Sequence, residues 1–312
     1  MNGADKKLLT NNFHNAVSAD PAWRCHLLAL SHDALGVIFD GLADPLQPEL
    51  AVAFGSTCLG LRTPLLAALQ VLRERHEKAK ALCRKLVKSC AELRGAEELQ
   101  ESSRLVADYM ATLGMILRTN GLPCLRHLQL GGRSDFGDAS MQALCEGLDR
   151  GAVPSLIDLS LPSNKFGPAG AEALAAALGR GAMPKLQSLC AYNNPIGDLG
   201  VAALVSPLRK MPALQKVDMA HCGIGDDGVA SLVANLGKDD FKALKQLELE
   251  GNLGITDVGC AKLIAALKAG ALPALEGLFD IDDADRISDH ASEAACAAVD
   301  AALEKRLAGY DR

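Results

Sequence analysis

The sequence predicts an α/β solenoid, with a curved parallel sheet inside and helices outside, preceded by an all-α region. Three observations predict it. Leu and Ala supply 52 and 50 of the 312 residues, whereas Phe, Tyr and Trp number only 7, 3 and 1. That balance favours helices and repeat arrays over a β-sandwich, whose strands draw on β-branched and aromatic residues. A Leu-x-x-Leu-x-Leu pattern recurs from Leu125 onward at intervals of 31, 30, 28, 30 and 31 residues. Each copy is followed by a Leu/Ala-rich segment with leucines at i and i+4, the spacing of one helical face.

The same totals exclude several functions. With 22% charged residues and no long uncharged apolar run, no membrane span is expected. The net charge of −6 is uneven: residues 1–121 carry 14 Lys/Arg against 13 Asp/Glu, residues 122–312 carry 18 against 25. An acidic second half is the wrong footprint for nucleic acid. The 10 cysteines stand singly, without a Cys-x-x-Cys pair, and no secretory apolar core follows Met1–Lys7. Reduced thiols in a cytoplasmic or nuclear protein are the expectation.

Taken in chain order, residues 1–29 form an N-terminal segment without a motif. Residues 30–62 read as helices. Leu30-Ser-His-Asp-Ala-Leu35-Gly-Val-Ile38-Phe39-Asp-Gly-Leu42 precedes Asp44-Pro45 and Pro48-Glu49-Leu50, and Ala53-Phe54 leads on to Cys58 and Leu61-Arg62. This segment resembles an F-box: a Leu-rich opening, an Ile-Phe pair, a Leu three residues on, then a helix ending near a cysteine. The resemblance implies that Leu35, Ile38, Phe39, Leu42 and Leu50 dock the linker protein of a cullin ubiquitin ligase, with downstream repeats holding the substrate. The same apolar pattern also suits a helical cap without a docking role.

Residues 63–121 predict a long basic helix and a helical cap of the array. Thr63-Pro64 starts the helix, with Pro in its first turn. Leu65, Leu69, Leu72, His76, Ala79, Leu82, Leu86, Cys90 and Leu93 make its apolar stripe, flanked by Arg73, Arg75, Lys78, Lys80, Arg84, Lys85 and Lys88. The basic face suits an acidic partner, a membrane surface, or plain solvation. A second helix is expected from about 97 to 118, ending at Asn120-Gly121, with Leu113, Ile116 and Leu117 sealing the first repeat.

Residues 122–307 hold six repeats, followed by a tail at 308–312. The units open at Leu125, Leu156, Leu186, Leu214, Leu244 and, in degraded form, Leu275-x-x-Leu278. Phe136, Phe166, Ile196, Ile224, Ile255 and Ile287 stand in register ahead of the helices. Asp198, Asp226, Asp257 and Asp289 fall at a helix N-cap or first turn. Pro207 should shorten the third helix. The motif at 156–164 and 244–252, Leu-x-x-Leu-x-Leu-x-x-Asn, resembles the ribonuclease-inhibitor type of leucine-rich repeat. That resemblance implies an Asn bonding the turn at 164, 194 and 252, and less regular turns at Arg133 and Cys222. It covers about residues 110–307 and spans inhibitors, receptors, adapters and GTPase activators.

Side chains between the strand leucines cannot enter the core, because strand residues alternate faces. They line the concave surface: His127, Gln129, Asp158, Ser160, Ser188, Cys190, Tyr192, Lys216, Asp218, Gln246, Glu248 and Glu250. Asp218 and Glu248 are like charges on adjacent strands, repelling unless a partner intervenes. Tyr192, the large aromatic on this face, is a candidate anchor. The expectation is a non-enzymatic adapter binding a protein or peptide with a basic contact surface, with a scaffold subunit or a Ran-type GTPase activator as alternatives.

No catalytic, cofactor or metal site is expected. Gly223-Ile-Gly225-Asp-Asp-Gly228 matches the glycine pattern of a dinucleotide site, but Gly225 and Gly228 repeat in register elsewhere. Gly55-Ser-Thr-Cys-Leu-Gly60-Leu61 lacks the Lys of a phosphate loop. The histidines include no His-x-x-x-His pair, and the acids at 280, 282, 283 and 285 lack the Gly and final Glu of a calcium loop.

Overall fold

A computed structural model describes residues 32–56, 59–86, 88–101, 107–119, 121–132, 136–237, 239–278 and 291–310. The chain begins with α1 (His32–Leu42), α2 (Glu49–Ser56), α3 (Leu59–Lys85) and α4 (Cys90–Arg94). Strands and helices then alternate: β1 (Glu98–Glu101), α5 (Ala107–Thr119), β2 (His127–Leu130), α6 (Asp138–Cys145), β3 (Asp158–Ser160) and α7 (Pro168–Gly179). The array continues through β4 (Ser188–Cys190), α8 (Gly197–Leu208), β5 (Lys216–Asp218), α9 (Asp226–Val233), β6 (Gln246–Glu248), α10 (Asp257–Lys268) and α11 (Glu293–Tyr310). The strands form one six-stranded sheet in sequential order, every pair parallel. Neighbouring strands lie about 4.8 Å apart, whereas packed helices need roughly 8–10 Å. The array therefore curves with the sheet on its inner side.

The leucine ladder makes the core. Leu128, Leu159, Leu189, Val217 and Leu247 face one another across consecutive strands, each at most 2% exposed. The helices add Leu144, Leu174, Leu204, Leu232 and Leu263 from the other side. Burying each leucine stabilises by roughly 1.5–3 kcal/mol.

Two hydrogen-bond ladders run along the array. Asn164 Nδ2 donates to Leu130 O (2.7 Å) and Leu161 O (3.0 Å), and Asn194 repeats this with Leu161 O (2.8 Å) and Ala191 O (2.9 Å). Asn252 donates to Met219 O and Leu249 O, while its Oδ1 accepts from Cys222 N (2.8 Å) and Ile224 N (3.0 Å). Cys222 does not disrupt its turn as expected: its buried thiol donates to Ala191 O at 3.2 Å, one repeat back, as the asparagines do. Arg133 lies outside the described residues.

The aspartates make the second ladder. Each sits in the first turn of its own helix but caps the helix of the following repeat. Asp138 Oδ1 accepts from Gly167 N (2.6 Å) and Gly170 N (2.8 Å), and Asp198 Oδ1 from Gly225 N (2.6 Å) and Gly228 N (3.0 Å). Asp226 takes Thr256 N (2.9 Å) and Gly259 N (2.8 Å), and Asp257 takes Ser292 N (2.6 Å). A Cβ at Gly228 would lie 2.6 Å from Asp198 Oδ1, so the carboxylate's approach requires glycine there. Gly225 and Gly228 thus serve an internal carboxylate, which occupies the helix terminus a phosphate would need.

Several sequence expectations are corrected. Residues 98–101 form β1 rather than the start of a helix at 97; the helix runs over 107–119. This strand departs from the repeat pattern, because Ala96-x-x-Leu99-x-Glu101 keeps only one ladder leucine; Leu99 pairs with Leu128. At the far end, Leu275 and Leu278 are buried, and among the described residues the unit joins the sheet through an isolated bridge, Gln246 to Gly277. α3 begins at Leu59, so Pro64 lies in its second turn rather than its first. α3 ends at Lys85, and Cys90 and Leu93 belong to α4, which opens with a Ser89/Glu92 capping box. Pro207 sits in the last turn of α8, which keeps 12 residues, as do α7 and α10. α11 reaches Tyr310, so residues 308–310 are helical rather than tail. Residues 1–31, the 279–290 segment with its acids, and Asp289 lie outside the described residues.

The N-terminal helices have a core of their own. Leu35, Phe39, Leu42, Ala51, Phe54, Leu65, Leu69 and Leu72 pack together, with Ile38 partly buried against them. The α1–α2 connection joins this bundle to the array. Asp44 pairs with Arg94, Arg94 also donates to Gly121 O (3.2 Å), and Leu46 packs into the array's core. His76 Nδ1 lies 2.7 Å from Pro45 O, which holds α3 against the same loop.

Candidate protein-binding surface

Each repeat sends one strand residue inward and its two neighbours out onto the concave face. The register aligns Glu98, His127, Asp158, Ser188, Lys216 and Gln246 in one row, and Gln100, Gln129, Ser160, Cys190, Asp218 and Glu248 in the next. Tyr192 and Glu250 lie just beyond. The structure thus brings the sequence-selected residues onto one surface and adds Glu98 and Gln100, whose strand had too few leucines to be recognised.

Charge on this face is arranged rather than scattered. Lys216 Nζ lies 2.6 Å from Glu248 Oε1, supplying the partner that Glu248 needs. Glu248 is only 9% exposed, so this pair belongs to the framework of the face. Asp218 accepts from the Cys190 thiol (3.1 Å) and from Ala220 N (3.1 Å). Burial, aided by the Asp218 charge, pushes the Cys190 thiol up to about 12, so it is no thiolate nucleophile near neutral pH. His127 Nδ1 stands 3.8 Å from Asp158 Oδ2 at an exposed position, where such a pair contributes little.

Tyr192 is half-buried, edge-on to His221 with ring centroids 5.4 Å apart. A Cβ at Gly251 would lie 2.2 Å from the His221 ring, so glycine there lets the imidazole settle over the next turn. Beside these rows a shallow depression of about 330 Å³ is floored by Ser188, Lys216 and Gln246 and rimmed by Gln187, Gln215, Lys245 and Glu276. The rim residues precede the strands, in the first x of Leu-x-x-Leu.

The N-terminal residues expected to dock a linker protein have different placements. Leu35, Phe39 and Leu42 are 4%, 2% and 6% exposed and hold the bundle together, whereas Leu50 is 37% exposed. Val37, whose place in the apolar pattern does not set it apart from its neighbours, is 63% exposed on α1. Among the described residues no group of three or more His, Cys, Asp or Glu could hold a metal ion, and no helix is long and apolar enough to cross a membrane.

A leucine-rich repeat family model matches residues 154–175 and 210–233, which contain β3 with the start of α7 and β5 with α9. No curated protein matches the sequence. Among solved structures, the yeast Rad7 and Elc1 complex matches with 12% identity over 93% of this chain and 94% of that one. The TM-score of 0.23 is too low for that likeness to carry an argument.

Proposed function

We propose that this leucine-rich-repeat protein is a non-enzymatic adapter that holds a protein or peptide with a basic contact surface on its concave face. The carboxylate-rich rows carry this reading. Glu98, Asp158, Asp218, Glu248 and Glu250 converge on the sheet face, with Lys216 and His127 as the interspersed bases. A cationic partner adds a complement to the net negative field of this face, and Tyr192 supplies apolar contact at the centre of the array.

Affinity purification of the full chain with mass spectrometry tests it, using Tyr192→Ala with Gln246→Arg. Both side chains reach solvent, so the ladder survives the change. Loss of captured partners on substitution, and their release at raised salt, are expected. An unchanged partner list overturns the concave-face reading.

A second reading, docking to a cullin ligase through the N-terminal helices, is favoured by the exposed apolar Val37 and Leu50 on a bundle with its own core. Val37→Asp with Leu50→Asp should abolish capture of the cullin linker while leaving concave-face partners bound. Absence of the linker from wild-type purifications removes this reading and leaves a scaffold role.

A further inference from the structure

The break between α3 and α4 places two thiols together. Cys83 lies in the last turns of α3 and is 3% exposed; Cys90 opens α4 and is half-buried. Their sulfurs are 3.5 Å apart. A disulfide requires closure to about 2.05 Å, within reach of small side-chain rotations. Both thiols stand outside the fold's hydrogen-bond ladders, and the described residues between Lys85 and Cys90 belong to no helix or strand.

We propose that Cys83 and Cys90 form a redox-active dithiol site that exchanges with small-molecule disulfides of the glutathione class. The accessible Cys90 reacts first. Its thiolate attacks one sulfur of the disulfide, forming a mixed disulfide and expelling one small-molecule thiolate. Cys83 then loses its proton and attacks the Cys90 sulfur, forming the protein disulfide and expelling the second thiolate. The two protein thiols are oxidised by two electrons, the small disulfide is reduced to two thiols, and the released protons go to those thiolates. Burial, with the Cys90 contact, pushes the Cys83 thiol up to about 12, which makes it the resolving rather than the attacking group.

The location gives the bond a consequence. α4 carries Arg94, which holds the α1–α2 loop through Asp44 and the first repeat through Gly121 O. A Cys83–Cys90 disulfide ties α3 directly to that junction, so oxidation fixes the bundle against the array.

The test uses the full chain equilibrated with mixtures of reduced and oxidised glutathione, then acid-quenched, maleimide-labelled and digested with trypsin. Cleavage after Lys80, Arg84, Lys88 and Arg94 leaves the disulfide joining residues 81–84 to residues 89–94, one species that a reductant splits. The linked species should dominate where the exposed Cys124 carries glutathione as a mixed disulfide. Its ratio to the Cys90 mixed disulfide should be at least about tenfold higher in the native chain than in urea, because the fold supplies the effective concentration. In Cys83→Ser, with far-UV circular dichroism confirming the fold, Cys90 should retain glutathione. Accumulation of the Cys90 mixed disulfide in wild type overturns the proposal. So does maleimide labelling of both cysteines when Cys124 is fully modified, or an equal ratio in urea.

Discussion

Replacing Asp198 by Ala probes the carboxylate ladder at its clearest rung. Asp198 Oδ1 accepts two backbone N–H groups, Gly225 at 2.6 Å and Gly228 at 3.0 Å, at the N-terminus of α9 in the next repeat. Hydrogen bonds to a charged acceptor contribute about 1.5–3 kcal/mol each when partners are buried, and a lost N-cap costs about 0.5–2 kcal/mol. The site is part-buried and water can reach the freed amides, so Asp198→Ala should cost about 2–3 kcal/mol in all. Asp198→Asn keeps an acceptor oxygen without the charge and should cost about half as much. Equilibrium unfolding in urea, followed by far-UV circular dichroism, measures both. The control is Asp227→Ala, an exposed first-turn acid of α9 expected to change stability by no more than about 0.5 kcal/mol. Gly228→Ala places a Cβ 2.6 Å from the same oxygen, so its cost should shrink when Asp198 is already Ala. An Asp198→Ala loss no larger than that of Asp227→Ala refutes the idea that the carboxylate joins adjacent repeats.

Two further predictions concern the ladders. Asn252→Ala strips partners from Met219 O, Leu249 O, Cys222 N and Ile224 N at a site with 0% exposure, and should cost at least about 3 kcal/mol; exposed Asn193→Ala should cost far less in the same urea titration. Acid should weaken the array through Asp226 and Asp240. The Lys210 ammonium and the Gly237 N–H hold Asp240 below the usual carboxylate range, and at Asp226 hydrogen bonds from Thr256 and Gly259 outweigh the opposing effect of burial. Both folded values lie below the unfolded one near about 3.9, so this stabilisation is complete above about pH 4 and lost as pH falls through the folded values. The thermal midpoint should therefore hold from neutral pH to about 5 and drop below about 4, and Asp226→Asn with Asp240→Asn should flatten that drop.

Repetition made most of the array legible. Five strands and their helices stand where the Leu-x-x-Leu-x-Leu register places them, because a single buried side chain every second residue leaves little choice of face. Legibility failed at the ends. β1 keeps Leu99 but replaces the other ladder leucines with Ala96 and Glu101, since α3, α4 and α5 cover that edge and supply the missing apolar mass. The α3–α4 boundary was hidden because the apolar stripe continues in phase across it, although Ser89 and Glu92 spell a capping box. Over residues 32–56 the apolar pattern marks helices well, but cannot distinguish residues facing their own bundle, such as Phe39, from those facing solvent, such as Val37.

Local periodicity sufficed for the solenoid, its repeat length and the polar rows of its concave face, since each follows from alternation along a strand or phase along a helix. Which groups satisfy one another was beyond its reach. Asp198 reads as a first-turn acid of α8, yet its bonds go to α9; Cys222 reads as a departure from the asparagine ladder, yet its thiol fills the vacated place; Glu248 reads as a repelling acid, yet Lys216 sits against it. These partners lie about one repeat away in sequence. They meet because stacking sets neighbouring turns in contact, where a buried donor or acceptor must find whatever group the next layer presents.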